Sequence, residues 1–219
     1  MIPTTEIAQQ RTIRLIPATY FKPPVLRALM DTAEELEALA ALEALTCRRL
    51  KAAAVAASAH YDGWGRTHIS AAFSYARPTG NRFNDGTVGA WYAAFDDRTA
   101  LEEIAFHRTR ELIAIDHLHD RAQYVALHAS FIGAFHDLRG VDPHPPCLDP
   151  DPAISYPAGQ ALARDLIAKG SRGILYPSAR RPGGTCLVAL QPNVVQDVSP
   201  GAKWELVWDG SPKWAASPV

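Results

Sequence analysis

The chain has 219 residues, of which 47% are hydrophobic and 21% are charged, and its formal net charge is −1 at pH 7. This composition is typical of a soluble globular protein with a single domain and a sizeable core. Balanced charge argues against DNA as a direct partner, and no stretch approaches the ~20 apolar residues that a membrane-spanning helix needs.

The N-terminal residues and the cysteines bear on the cell compartment. Residues 1–11, MIPTTEIAQQR, lack the basic and apolar regions of a signal peptide. The cysteines, Cys47, Cys147 and Cys186, are odd in number and widely separated, and no CxxC pair is present to hold zinc. We therefore expect a cytoplasmic protein without a disulfide framework.

The first third of the chain alternates between strand and helix signals. A weakly alternating strand is predicted over Arg11–Tyr20, with Arg14 in its middle. Leucines at helical spacing predict a helix over Asp31–Leu50, with a continuation or a second helix through Lys51–His60. Thr67–Tyr75 is mixed in character and is interpreted as strand or irregular structure.

The central third carries the residues of most chemical interest. The loop Gly80–Gly86 contains Arg82, and the apolar strand predicted over Thr87–Phe95 contains Tyr92. A helix is predicted from Asp96 to about Arg110, and it places Glu103 in its first turns. These residues lie on three successive elements.

The last third is predicted from short apolar runs and prolines. Two runs of strand length, a loop with five prolines and an amphipathic helix ended by Gly170 precede the final strands. The segments are Glu111–Leu118, Gln123–Phe131, the loop Gly140–Pro152, the helix Pro157–Lys169, and the strands Gly173–Pro177, Thr185–Leu190 and Trp204–Trp208. Neither GxGxxG nor GxxxxGK[ST] occurs, so the fold class predicted is α+β rather than a Rossmann sheet.

A guanidinium, an aromatic ring and a carboxylate on neighbouring elements can converge on one small ligand. Arg82 suits a diphosphate, Tyr92 suits a cationic ring, and Glu103 suits a developing positive charge, a combination that favours NAD. Ser178, at the end of a strand, could hydrogen-bond the amide or ribose of such a ligand.

Each of these residues also has an ordinary structural interpretation. Glu103 could be a solvated acid in an early helical turn, Tyr92 a buried strand aromatic, and Ser178 a turn former. Arg14 could simply be a surface arginine on the wet face of its strand. Glu103 and His107 share a helical face, but without HExxH we expect no metal site.

Five segments in order identify a family resemblance. They are RLIPATY, LEALT, GNRFNDGTVGAWYAA, ALEEIAFHR, and QALARDLIAKGSRGILYPSARRPGGTCLVALQP with a terminal WELVWDG. Over nearly its whole length the chain resembles the RES-domain proteins, toxins of bacterial toxin–antitoxin modules. It departs from the family at Ile104, where Glu-Thr is more usual than Glu-Ile, and in the loop Gly140–Pro152, which has no clear counterpart.

The resemblance implies both a fold and a set of site residues. The fold is a single domain related to ADP-ribosyltransferases, with mixed or antiparallel sheets flanked by helices, a core over about 11–209, and peripheral segments at 1–10 and 210–219. The functional arginines of the family fall on Arg14 and Arg82, its tyrosine on Tyr92, its glutamate on Glu103 and its serine on Ser178.

The resemblance also implies an activity and a partner. The expected function is a cytoplasmic NAD+ glycohydrolase toxin that depletes cellular NAD, with transfer of ADP-ribose to a protein as the alternative. NAD is then the substrate, with no further cofactor. A cognate helical antitoxin of the Xre type is the expected partner; no membrane partner is expected, and homo-oligomerisation is left open.

Overall fold

A computed structural model of the protein describes residues 2–8, 11–21, 32 and 64–219. Within these ranges the chain forms nine β-strands and three α-helices. The strands are β1 (Thr4–Ile7), β2 (Thr12–Pro17), β3 (Trp91–Ala94), β4 (His119–Ser130), β5 (Gly133–Asp137), β6 (Gly173–Pro177), β7 (Thr185–Ala189), β8 (Gln196–Asp209) and β9 (Trp214–Pro218). The helices are α1 (Arg66–Ser74), α2 (Asp97–Ala114) and α3 (Pro152–Ala168).

All nine strands belong to one mixed sheet, in the order β1-β5-β6-β7-β3-β2-β4-β8-β9. The pair β5–β6 is parallel, and the other neighbouring pairs are antiparallel. The predicted α+β class with a mixed sheet and flanking helices is therefore confirmed. The terminal segments predicted as peripheral supply the two edge strands, β1 and β9.

The two faces of the sheet are covered by different helices. Ile69 and Phe73 of α1 pack with Trp91 on one face. Ala100 of α2 and Leu166 of α3 belong to the core cluster of the other face. Because successive side chains of a strand point to opposite faces, Tyr92 projects away from Trp91, towards the face that carries α2 and α3.

The strands β2 and β3 have the fewest paired residues of any neighbouring strands in the sheet. The register of this pair consists of Ile13 opposite Ala94 alone, whereas β2 pairs with β4 along its full length. The two strands therefore diverge beyond that single position. This divergence opens the sheet between its two halves.

Several predicted elements agree with the structure. The strand Gly173–Pro177 has its predicted bounds. The helix expected from Asp96 to about Arg110 ends later, at Ala114, and Asp96 caps it by accepting a hydrogen bond from Thr99 N. Gly170, with φ +76°, follows the end of α3 as predicted.

Five predictions are wrong, and two of them concern the bounds of strands: the strand predicted over Thr87–Phe95 is only Trp91–Ala94, and the one predicted over Trp204–Trp208 is part of the longer strand β8. Thr67–Tyr75 lies mostly in helix α1, whose buried residues Ile69, Ala72 and Phe73 follow helical spacing behind Gly65. The run Glu111–Leu118 is the last turn of α2 and the loop after it, because α2 continues to Ala114. The helix predicted from Pro157 begins at Pro152, since Asp151 provides the N-cap.

Two predictions lie outside the described residues. These are the leucine-rich helix over Asp31–Leu50 and its continuation through Lys51–His60.

Candidate active site

A cavity of about 290 Å³ opens where β2 and β3 diverge. Three consecutive residues of each strand border it, which one continuous sheet face would not allow because side chains alternate. The lining combines three arginines, four tyrosines, one glutamate, one histidine and one asparagine with small and apolar residues. These polar and aromatic residues are Arg14, Arg77, Arg82, Tyr75, Tyr92, Tyr156, Tyr176, Glu103, His107 and Asn81.

Arg82 is held by backbone carbonyl groups of the proline-rich loop. The residue is only 8% exposed, and Nη1 donates to the carbonyl oxygens of Cys147, at 2.6 Å, and Asp149, at 3.0 Å. The segment around Cys147 forms a single 3-10 turn at Pro146–Leu148. The proline-rich loop Gly140–Pro152 thus fixes the guanidinium of Arg82.

Tyr92 and helix α3 also contact the turn that carries Arg82. The Tyr92 hydroxyl accepts a hydrogen bond from Phe83 N and donates one to Asn84 Oδ1, both at 2.9 Å. On the α3 side, any side chain at Gly159 would collide with the carbonyl oxygen of Arg82. Tyr92 therefore positions the Arg82 turn through its hydroxyl while its side chain borders the cavity.

Glu103 reaches the cavity from helix α2, and Ser178 holds its carboxylate. The Ser178 hydroxyl donates to Glu103 Oε1 at 2.6 Å and accepts from the backbone N–H groups of Arg180 and Arg181, both at 3.1 Å. Because a serine has one proton to donate, this geometry commits it to the glutamate. Cys186 Sγ lies 3.8 Å from the same carboxylate oxygen, and burial raises the pKa of its thiol, so it stays neutral.

Arg14 borders the cavity from the side of β2. Its guanidinium lies 5.0 Å from the centre of the Trp91 ring, and Nη1 donates to the carbonyl oxygen of Tyr92 at 3.2 Å. Burial lowers the pKa of Arg14 to about 10, which leaves the side chain charged at neutral pH. Arg14 thus bridges the two strands where they separate, on the Trp91 face rather than beside Glu103.

Two residues that the sequence did not single out as ligand contacts stand near Glu103. His107 lines the cavity one helical turn after Glu103, and its pKa is lowered to about 4 by burial and by the charges of Arg77, Arg180, Arg110 and Arg82. In the sequence, the four-residue spacing from Glu103 was the only indication that His107 could lie at the site.

The second is Arg180, whose guanidinium lies 3.3 Å from the centre of the Phe106 ring. Burial lowers its pKa, while the negative charge of Glu103 raises it. In the sequence, its position two residues after Ser178 was the only indication that Arg180 could lie near the site. In the structure, the Arg180 side chain packs on Phe106 and does not extend freely into solvent.

The structure therefore brings Arg82, Tyr92 and Glu103 to one cavity, places Arg14 at its border, and joins Ser178 to Glu103. Among the described residues, no three His, Cys, Asp or Glu side chains gather as a metal site would require. No helix in the described ranges is both long and apolar enough to cross a membrane.

Comparison with known proteins decides the family. The model of the RES domain matches residues 56–209, more than half of the chain. The chain belongs to the RES-domain family. The uncharacterized protein y4oC of Sinorhizobium fredii (strain NBRC 101917 / NGR234) is 26% identical to it over 210 residues, which span 90% of this chain and 83% of the relative.

A solved structure is also similar to this RES-domain protein. A chain of the M. tuberculosis MbcT–MbcA toxin–antitoxin complex matches with a TM-score of 0.43 and 15% identity, over 90% of this chain and 87% of the other.

Proposed function

We propose that this RES-domain protein is an NAD+ glycohydrolase that cleaves the bond between nicotinamide and ribose. The observation that carries the proposal is the position of Glu103. It is the one carboxylate among the described residues that line the cavity, and it shares that cavity with Arg82 and Tyr92. An anion, a guanidinium and an aromatic ring suit the ribosyl cation, the diphosphate and the nicotinamide of NAD, respectively.

The chemistry needs a negative charge more than it needs a general acid. When the N-glycosidic bond breaks, its electron pair moves to the nicotinamide nitrogen and neutralises the positive charge there, so the leaving group requires no proton. The positive charge that develops on the ribose is stabilised by the Glu103 carboxylate. Water then adds to C1′ and loses a proton, which Glu103 can accept, to give ADP-ribose.

The rest of the site keeps Glu103 and Arg82 in place before the substrate arrives. Ser178 fixes one oxygen of the carboxylate, and the carbonyl groups of Cys147 and Asp149 fix Arg82. Preorganised charges of this kind contribute most to catalysis, because they do not have to reorient during the reaction. In this proposal Ser178 acts on the glutamate, whereas the sequence had suggested that it contacts the ligand.

The biological setting is also part of the proposal. The family resemblance implies that the activity depletes NAD in the cytoplasm and that a cognate helical antitoxin of the Xre type silences it. Co-expression with such a helical protein should relieve growth arrest and should occlude the cavity around Glu103. An antitoxin that binds without reducing NAD cleavage would contradict this part of the proposal.

The test is nicotinamide release from NAD+ by the purified chain and by Glu103→Gln. We expect the variant to lose turnover by about a hundredfold or more while it still binds NAD+, because the amide keeps the size of the side chain and removes its charge. Glu102→Gln is the matched control, since Glu102 pairs with Arg98 on the outer side of α2 at 2.6 Å. Full activity of Glu103→Gln would refute the proposal.

The same assay separates hydrolysis from ADP-ribosyl transfer. If nicotinamide and free ADP-ribose appear in equal amounts, water is the acceptor. If label from adenine-labelled NAD+ remains on a protein, a protein side chain is the acceptor. Glu103 stabilises the same ribosyl cation in either case.

A further inference from the structure

The Arg180 side chain has no hydrogen-bond acceptor among the residues that the structure describes. Its Nε is buried and has no hydrogen-bond partner, and no ion pair joins its guanidinium to another described residue. Its neighbour Arg181 differs, because Nη1 donates to Asp96 Oδ1 and, at 2.8 Å, to Thr99 Oγ1. The loop between β6 and β7 thus presents two arginines, and only the side chain of Arg181 is hydrogen-bonded to described residues.

The Arg180 guanidinium lies near several residues that line the cavity. It packs on Phe106, whose ring is 5.4 Å from the ring of His107. Among the groups whose charges act on Arg180 are Glu103, Arg82 and Tyr156, and all three line the cavity. Arg180 is therefore positioned to reach a ligand held there.

His107, next to Phe106 on helix α2, adds a hydrogen-bonding group near Arg180. It follows Glu103 by four residues, which places it about 6 Å further along the helix axis and on the same face. Neither ring nitrogen has a hydrogen-bond partner in the described part of the chain. Because its pKa is lowered to about 4, the ring is neutral at physiological pH and offers one N–H donor.

Burial of the Arg180 Nε–H without an acceptor is unfavourable for the fold, because its desolvation costs free energy that no hydrogen bond to a described residue returns. An anionic ligand would supply the missing acceptors and would form charge-assisted bonds with it. Several arginines around His107 make this end of the cavity electropositive, whereas Glu103 makes the other end negative.

We propose that Arg180 and His107 form a further anion subsite, which binds a phosphate group one helical turn from Glu103. The inference rests on the proposed function in one respect, which is that C1′ of the ribose faces Glu103. The distance from C1′ across the ribose to its 5′-phosphate then matches the rise of one turn of α2. The ligand chemistry is that of a nucleoside diphosphate, to which Arg180 supplies a second guanidinium besides Arg82.

Binding of ADP and of inorganic diphosphate, measured by isothermal titration calorimetry, tests the subsite. Arg180→Gln should weaken both by about ten- to a hundredfold, since it removes charged hydrogen bonds, and His107→Gln should weaken them less. The melting temperature of Arg180→Gln should stay near that of the wild type, because the guanidinium makes no hydrogen bond or ion pair with the described residues and only its contact with the Phe106 ring is lost. Arg121→Gln, which removes an exposed arginine paired with Glu205, should change neither quantity.

Unchanged ADP and diphosphate binding by Arg180→Gln would overturn the subsite, as would a wild type that binds neither. So would a large fall in its melting temperature, because Arg180 would then serve the fold. Arg180→Lys keeps the charge but loses the planar fork, and we expect intermediate affinity.

The outcomes also separate the subsite from the proposed function. If the wild type releases no nicotinamide yet its diphosphate binding depends on Arg180, the subsite stands and the proposed reaction fails. If the wild type cleaves NAD+ and Arg180→Gln binds both probes normally, the subsite fails and the reaction stands.

Discussion

Two arginines near the same cavity differ in their hydrogen bonding to the protein. Arg82 is buried and donates to two backbone carbonyl groups, whereas Arg180 packs on an aromatic ring and has no acceptor among the described residues. The first is fixed before any ligand arrives. The second lacks the partner that would balance its desolvation, and this difference points to the part of the site that a ligand completes.

The fixed side consists of several interlocking contacts. The Tyr92 hydroxyl bridges Phe83 and Asn84, and Ser178 holds Glu103 in the same manner. Side chains locked in this way sacrifice no freedom when substrate binds. We therefore expect substitutions on the fixed side to reduce stability, and substitutions on the open side to reduce ligand affinity instead.

The largest difference should appear between Arg82→Met and Arg180→Met. The first leaves the carbonyl oxygens of Cys147 and Asp149 without their donor, and we expect a loss of about 2–3 kcal/mol in the free energy of unfolding. The second removes only the contact with the Phe106 ring, and it should change that free energy by about 1 kcal/mol or less. Urea denaturation followed by circular dichroism measures both, and equal losses would remove the distinction between the two arginines.

Tyr92→Phe should have a smaller effect on the fixed side. The variant keeps the ring and removes the bridge between Phe83 N and Asn84 Oδ1, so we expect a loss of about 1–2 kcal/mol in unfolding free energy. The KM for NAD+ should rise severalfold as the Arg82 turn loosens. Tyr20→Phe is the control, because Tyr20 is 73% exposed, and equal behaviour of the two variants would argue against the positioning role.

The smallest effect concerns His107 and depends on pH. Its pKa is about 4 in the folded protein and 6.5 in the unfolded chain, so the folded state resists protonation. The stability that follows from this shift is fully present above about pH 6.5 and is lost as the pH falls towards 4. His107→Gln should therefore lose less stability than the wild type over that window.

Unfolding by urea at several pH values between 7 and 4 measures this difference. His68, His128 and His136 also have lowered pKa values, because burial disfavours their charged forms, and they contribute to the acid loss in both proteins. The comparison of wild type and variant cancels their contribution. Parallel curves for the two proteins would show that His107 is not the group responsible.

Some of the site could be predicted from local signals. Asp96 before an apolar-periodic stretch marks the start of α2, and that start fixes the register in which Glu103 and His107 share a face. The β-formers around Tyr92 predict its strand. The chemistry of a guanidinium, a ring and a carboxylate then follows from residue types.

Other features depend on contacts between distant segments. Arg14 and Tyr92 are 78 residues apart, and Ser178 and Glu103 are 75 residues apart, yet each pair is hydrogen-bonded. Such pairs depend on the order of the strands in the sheet, which no local pattern specifies. Helix α1 was missed for a related reason, because its apolar residues become a core face only when packed against the sheet.

The sequence by itself determined the residue types of the site, most of its strands and the register of helix α2, because spacing and capping act between near neighbours. Only the tertiary structure decided that Ser178 serves Glu103, that the carbonyl groups of Cys147 and Asp149 hold Arg82, and that Arg180 has no acceptor among the described residues. Hydrogen bonds between distant segments form only when the sheet assembles, so their partners are set by packing and not by any stretch of the chain.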